Sequence, residues 1–393
     1  MKKIYFDNAA TSFPKAPFLS VAVTDFIENN CVNINRGIYS LSSDLSDMVL
    51  STRVAIAKFF DCDDEPEKFC KRIIFTSGVT QSINMFLRGI LSENDHVVTG
   101  ALEHHAVMRT LNALKEEKNI TYSVAPCDKN GVVSASAVES LITDKTKAVI
   151  LNHASNVFGA INPIEEIGEV CKKHGVYFAL DTAQTAGVEY ISMRKSNIDF
   201  LAFSGHKGLL SLQGIGGFAV SKKLSLELKP VITGGTGSVS HSYTQPDILP
   251  DKFESGTLNL CGICALNHSL KFINSVSIDK IKEKETSLRR YFIDRVKNIE
   301  GVVVYCDDES LNTTSVVSLS FTEVDTAFVS DALENNYSIM TRCGLHCAPS
   351  AHTAMGTYPD GTVRFSFSYF NTTDEIDYCV DALKKILEER KNA

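Results

Sequence analysis

The sequence predicts an α/β fold in which a mostly parallel sheet, flanked by helices on both faces, is followed by a smaller α+β unit. Three observations predict it. From about residue 70, short apolar runs alternate with segments whose apolar residues recur at helical spacing. The runs are apolar, as strands covered on both sides must be. After about residue 257 the alternation gives way to long helices and then to short strands. This places a large domain at 18–256 and a smaller C-terminal domain at 257–393, joined by residues 1–17.

Each element follows from its local pattern. Ile73–Thr76 reads as a buried strand and Val79–Leu91 as the helix after it. His96–Thr99 is a strand and His104–Lys118 a helix; Lys147–Leu151 is a strand and Ile164–His174 a helix. Gly175 stands where a glycine ends a helix. Val176–Leu180 is a strand closing on Asp181, Phe200–Phe203 a strand closing on Ser204-Gly205-His206-Lys207, and Gly217–Val220 a further strand. Leu260–Asn274 and Asp279–Asn298 are helices, and Ser315–Phe321 is a strand. The last helix opens at Thr372 with Glu375 three residues on, the spacing of a capping box. Ile376, Val380, Leu383 and Leu387 form its apolar stripe.

Composition narrows the function classes. The chain has 393 residues, 44% hydrophobic and 22% charged, which is ample for a globular core. A net charge of −8 disfavours nonspecific binding to nucleic acid or to an anionic membrane. No stretch approaches the roughly 20 apolar residues of a membrane span, and the first residues, MKKIYFDNAATSFPK, carry charge too early for a secretory signal. These features predict a cytoplasmic protein whose eleven cysteines are mostly reduced. The pair Cys261 and Cys264 has CxxC spacing, but no second pair or histidine cluster completes a zinc site, so it reads as the opening of a helix and no metal is expected.

Ligands of open α/β sheets bind beyond the carboxyl ends of the strands, so the polar residues there are the candidates. Asp181 ends one strand, Gln184 follows it, and Lys207 lies just past the next strand. A lysine there can bond an aldehyde cofactor, while a buried carboxylate can hold a pyridine nitrogen protonated and make the ring an electron sink. Ser77-Gly78-Val79-Thr80 joins a strand to a helix and offers backbone N–H groups to a phosphate. Taken singly, each has an ordinary structural role: a strand-end aspartate caps or pairs, a loop lysine is solvated, and a glycine turns.

Ten stretches in order are more specific: DNAAT (7–11), NINRG (33–37), TSGVT (76–80), EHHAV (103–107), SNVFG (155–159), DTAQ (181–184), SGHK (204–207), ESGTLN (254–259), RCGLHCAP (342–349) and VRFSFSYFNT (363–372). On these, the chain resembles the cysteine desulfurase and selenocysteine lyase family, class-V aminotransferases of the fold-type-I pyridoxal-phosphate enzymes. The resemblance spans nearly the whole length. It implies pyridoxal 5′-phosphate as cofactor, with Lys207 as the Schiff-base lysine, Asp181 on the pyridine nitrogen and Gln184 on the ring hydroxyl. It implies His104 against the ring and in proton transfer, and Asn156 touching ring and substrate. Gly78, Val79, Thr80, Ser204 and His206 match the phosphate site. Thr257 matches a phosphate contact from a neighbouring subunit, which implies a homodimer with shared active sites. Arg364 matches the clamp on the substrate carboxylate, and Arg36 and Arg342 fall at further active-site positions.

Cys347 matches the sulfur acceptor. Attack on sulfur needs a thiolate, and Arg342 and His346 are expected to favour that anion if the fold brings them close. Its alternative is a structural cysteine beside Cys343. The expected reaction converts L-cysteine to L-alanine and leaves a persulfide on Cys347, with a sulfur-acceptor protein as the further partner. The sequence departs from the family pattern at Leu345, Leu258 and in the stretch GLLSLQGIGG after Lys207. L-selenocysteine or cysteine sulfinate as substrate, and a transaminase or epimerase on the same scaffold, therefore stay open.

Overall fold

The computed structural model describes residues 3–34, 37 and 39–391. A two-residue strand, β1 (Ile4–Tyr5), opens the chain. The large sheet then takes β2 (Ile73–Thr76), β3 (His96–Gly100), β4 (Thr121–Ala125), β5 (Thr146–Asn152), β6 (Tyr177–Asp181), β7 (Phe200–Ser204) and β8 (Gly216–Val220). Among the described residues their order is β2-β8-β7-β6-β5-β3-β4. The pairings of β7 with β6, β6 with β5, β5 with β3 and β3 with β4 are parallel, whereas β8 runs against both β2 and β7. The mostly parallel sheet expected from the sequence is therefore present, with one reversed strand near its edge.

Alternation within the strands makes two cores. Phe178 and Leu180 of β6 enter one, with Val149, Leu201 and Phe203, while Tyr177 and Ala179 enter the other, with Ile150, Phe200 and Phe218. Burying each of the larger side chains contributes about 1.5–3 kcal/mol. The helix Leu260–Val276 packs Leu260, Ile263, Leu266, Leu270 and Ile273 into the first core. Cys261 and Cys264 lie in its first turns, as expected from the sequence. Helix Ile164–His174 ends on Gly175 with φ of 68°, the left-handed conformation that glycine supplies without strain.

The smaller sheet has β9 (Val302–Val304), β10 (Val316–Phe321), β12 (Arg342–Gly344) and β13 (Thr362–Ser366), in the antiparallel order β12-β13-β10-β9, while β11 (Ile339–Met340) pairs with β1. Ile4 and Phe6 share a third core with Phe292, Val317, Phe365 and Leu383. The N-terminal segment thus belongs to this packing and then crosses to the large sheet. There the His206 carbonyl accepts from Ser12 N–H at 2.9 Å, Thr11 Oγ1 at 3.0 Å and Lys15 Nζ at 3.0 Å. These donors fix the peptide that carries Lys207. Among the described residues no helix is long and apolar enough to cross a membrane.

Candidate active site

Asn152, Asp181 and Ser204 end β5, β6 and β7, and all three line a cleft of about 370 Å³ at that rim of the large sheet. Gly78, Val79, Thr80, His104, Asn156, Gln184, His206, Lys207, Arg342, Cys347 and Arg364 line the same cleft. Thr257 does not: it is exposed in the loop before helix Leu260–Val276. Arg36 lies outside the described residues.

Lys207 makes no hydrogen bond or ion pair among the described residues. Burial pushes its amine pKa down to about 8, with Asp181 and Asp7 opposing and Arg364 and Arg342 reinforcing the shift. Asp181 Oδ1 accepts the N–H of Ala183 at 2.8 Å, and burial holds its carboxyl above the usual range. An ionised carboxylate in that position is stabilised by any cation brought to it.

His104 caps helix His105–Lys118: its Nδ1 accepts the N–H of Ala106 at 3.0 Å. Burial and the nearby Lys207 charge lower its pKa to about 4. The ring is therefore neutral at physiological pH, with its hydrogen on Nε2. Burial also lowers His206, to about 4, and its Nδ1 is buried with no partner.

The phosphate-type loop is partly closed on itself. The N–H of Gly78 donates to Thr76 Oγ1 at 3.2 Å, and that of Val79 to Ser204 Oγ at 3.1 Å. These two N–H groups, which sequence reasoning offers to a phosphate, already have side-chain acceptors. Thr80 N–H and Oγ1 have none among the described residues, and the Ser204 hydroxyl hydrogen is still free to donate. With the N-terminus of helix Val79–Ile90 behind them, they suit an anion.

The short turn between β12 and helix Pro349–Ala354 presents Cys347, which is exposed. His346 and Cys347 both adopt left-handed conformations, with φ of 49° and 58°, which is uncommon for residues other than glycine. The turn is held from the large sheet: Cys347 O accepts from His105 N–H at 2.8 Å, and His346 O from Asn156 Nδ2 at 2.8 Å. His346 cannot favour a thiolate by its charge, contrary to expectation. Burial, with Arg364 and His352 nearby, lowers its pKa to about 2, so it is a neutral ring. Its Nε2 lies 3.1 Å from the Thr362 carbonyl, and its task is to brace the turn.

Arg364 of β13 is buried. Its Nη1 donates to Asn156 O at 3.0 Å and its Nη2 to Asp7 Oδ1 at 2.7 Å, while Nε is buried without a partner. Arg342 of β12 donates from Nε to Asp7 Oδ2 at 3.1 Å. Gln184 Nε2 donates to Ala9 O at 3.1 Å. Sequence reasoning quoted Asp7 and Glu103 within motifs without giving them a task. Glu103 is buried beside His104, accepts the Asn152 N–H at 2.8 Å through Oε1, and leaves Oε2 unpaired. Only their motif membership could have drawn attention to them, because their partners are distant in sequence.

The residues present fit pyridoxal 5′-phosphate. An unpartnered amine, a buried carboxylate, a neutral imidazole and a donor-rich helix N-terminus face one cleft, and Asn156 Oδ1 is a buried acceptor with no partner.

The family model of aminotransferase class-V matches residues 4–379. A probable cysteine desulfurase of Halalkalibacterium halodurans is 32% identical over 395 residues, covering 98% of this chain and 93% of the relative. One from Borreliella burgdorferi is 30% identical over 398 residues, covering 98% and 92%. The apo structure of cysteine desulfurase from Thermococcus onnurineus NA1 superposes with a TM-score of 0.90 at 28% identity, covering 98% of this chain and 95% of that one. The structure of the cysteine desulfurase CsdA (S-sulfonic acid) from Escherichia coli gives 0.87 at 26%, with the same coverage. The fold-type-I architecture expected from the sequence is the one these structures share with this chain.

Proposed function

Because the chain belongs to the class-V aminotransferase family, we propose that it is a pyridoxal-phosphate-dependent cysteine desulfurase, converting L-cysteine to L-alanine and taking the sulfur onto Cys347. The observation that carries this reading is one cleft holding the Lys207 amine, the Asp181 carboxylate and the exposed Cys347 thiol. A transaminase or epimerase on this scaffold has no use for that thiol.

Lys207 would hold the cofactor through Nζ, Asp181 would face its ring nitrogen, and His104, Asn156 and Gln184 would contact the ring. Thr80, Ser204 and His206 would take the phosphate, while the N–H groups of Gly78 and Val79 beside them are held by Thr76 Oγ1 and Ser204 Oγ. When bound, the cofactor supplies an electron sink that acidifies the Cα–H of cysteine. The chain's own groups do the rest. Arg364 holds the substrate carboxylate by a charge-assisted contact. Lys207 Nζ, which would be freed when the substrate's own amino group takes its place on the cofactor, takes up the Cα proton, its amine pKa lowered by burial. Cys347 Sγ then attacks the substrate sulfur: the Sγ–S bond forms and the Cβ–S bond breaks. The bonding pair stays with carbon, which is protonated to give alanine, and Cys347 keeps a persulfide.

The division at residue 257 and the cytoplasmic location belong to the same reading, as does a homodimer in which Thr257 serves a neighbouring copy's cofactor. An acceptor protein reaches the persulfide at the exposed turn. Incubation with L-cysteine is expected to release alanine and sulfide, and Cys347→Ser to bind cofactor and cysteine while losing at least about 100-fold in turnover. Amino-group transfer to a keto acid in place of alanine release would contradict the proposal.

A further inference from the structure

We propose that His352 and Thr357 are positioning residues for the sulfur transfer, holding the His346 ring and through it the turn that aims Cys347 into the cleft. This rests on the reading of Cys347 as the sulfur acceptor and names the groups that fix its aim.

The left-handed pair His346 and Cys347 follows closely on Gly344, whose φ is 99°. A turn of that kind persists only where its surroundings over-determine it. On the cleft side the His105 N–H and Asn156 Nδ2 tie it. Behind it the link runs through side chains. His346 Nε2 lies 3.1 Å from the Thr362 carbonyl and 3.3 Å from Thr362 Oγ1, and that hydroxyl donates to Ser318 Oγ at 3.0 Å. The His352 ring lies against that of His346, with centroids 5.6 Å apart and a tilt of 35°. His352 Nδ1 is 2.7 Å from Thr357 Oγ1. The Thr357 N–H donates to the His352 carbonyl at 2.8 Å, and the Gly361 N–H to the Thr357 carbonyl at 2.7 Å. Gly361, with φ of 73°, approaches Gly344 so closely that an added Cβ would overlap the Gly344 carbonyl. Residues 352–362 thus back the turn.

The ring chemistry gives His352 more than a packing role. It is buried next to Phe158, with ring centroids 5.8 Å apart, where an apolar side chain would pack without polar cost. His346 Nε2 faces a carbonyl and so carries the ring hydrogen, which leaves Nδ1 a bare acceptor. Burial lowers the His352 pKa to about 4, so that ring is neutral too; the Leu345 carbonyl, in the same turn as Cys347, opposes the shift. With the Thr357 hydroxyl donating to Nδ1, the His352 hydrogen sits on Nε2. The adjacent rings therefore carry one free acceptor and one free donor, both buried and without a direct partner. Removing the His352 nitrogens or the Thr357 hydroxyl releases the His346 ring, and Cys347 loses its fixed aim. Misplacing a reacting atom by about 1 Å can cost about 100-fold in rate.

The test uses the holoenzyme and follows two quantities. One is the dissociation constant of L-alanine, from the change in cofactor absorbance. The other is the single-turnover rate at which the Cys347 peptide gains one sulfur from L-cysteine. His352→Leu should keep alanine affinity within about twofold of wild type and slow sulfur uptake at least about tenfold. Thr357→Val, nearly isosteric, should slow uptake about fivefold, as the loss of one neutral hydrogen bond allows, while Thr357→Ser keeps the wild-type rate. The Thr357 pair decides the matter where His352→Leu does not fold. Sulfur uptake at the wild-type rate in Thr357→Val overturns the inference. So does a loss of alanine affinity as large as the loss of rate, which would mark a general loss of structure. Wild type that releases alanine and sulfide while its Cys347 peptide gains nothing would instead remove the acceptor reading, which separates the two failures.

Discussion

At the scale of single residues, burial decides the protonation states around the cleft. His104, His206 and His346 are all held well below the ordinary histidine range, so none of them is a cation at neutral pH. Positive charge in the wall comes from the arginines and from the protonated share of Lys207. In the cofactor-free protein, reaction of Lys207 with an amine-directed reagent should rise through about pH 8, where its ordinary value is 10.5. Asp181→Asn should move that midpoint lower, because it removes an attracting charge. Glu285 gives a stability test away from the chemistry. Burial raises its pKa from 4.5 to about 8, against hydrogen bonds from Ser315 and the Tyr369 N–H. The folded state binds this proton more tightly than the unfolded chain does. The resulting stabilisation is complete below pH 4.5 and is lost as pH rises to about 8. Urea midpoints of the wild type should therefore fall across that window more than those of Glu285→Gln; parallel curves would contradict the assignment.

At the scale of elements, two substitutions separate a cap from a packing contact. Thr372 N–H donates to Glu375 Oε2 and Glu375 N–H donates to Thr372 Oγ1, both at 3.3 Å, so Thr372→Ala should cost about 1 kcal/mol. Gly168 faces the Ser196 carbonyl so closely that an added Cβ would overlap it, and Gly168→Ala should cost more, about 2–3 kcal/mol. Urea midpoints in one buffer rank the two, and the reverse order would contradict this packing. The capping box was legible because both partners lie within four residues, and helix Ile164–His174 because its period and its terminal glycine agree. Strand β4 was not, because Thr121–Ala125 mixes polar and apolar residues at the sheet edge and three of the five are half-buried or buried while two are exposed. Helices Leu19–Asn29 and Ser40–Phe59 also escaped notice, as serine and threonine dilute their apolar faces. The reversed direction of β8 leaves no trace in side-chain periodicity.

At the scale of the whole molecule, the site is made by contacts that no local pattern encodes. Asp7 meets Arg364 across 357 positions, Asn156 meets His346 across 190, and the N–H of His105 holds the carbonyl of Cys347. Motif order in the sequence marked which residues belong together. It could not show that Asp7 occupies the arginines, that two loop N–H groups are already bonded, or that His346 is neutral, since each depends on burial created by the completed fold. The same contacts set Cys347 over the cleft that holds Lys207 and Asp181. That arrangement is the central claim, and the most direct measurement is the mass of the Cys347 peptide after the holoenzyme meets L-cysteine without reductant. One added sulfur on that peptide, with an equivalent of alanine released and neither seen in Lys207→Ala, is the predicted result. Alanine and sulfide formed at full rate with Cys347 never modified would contradict it.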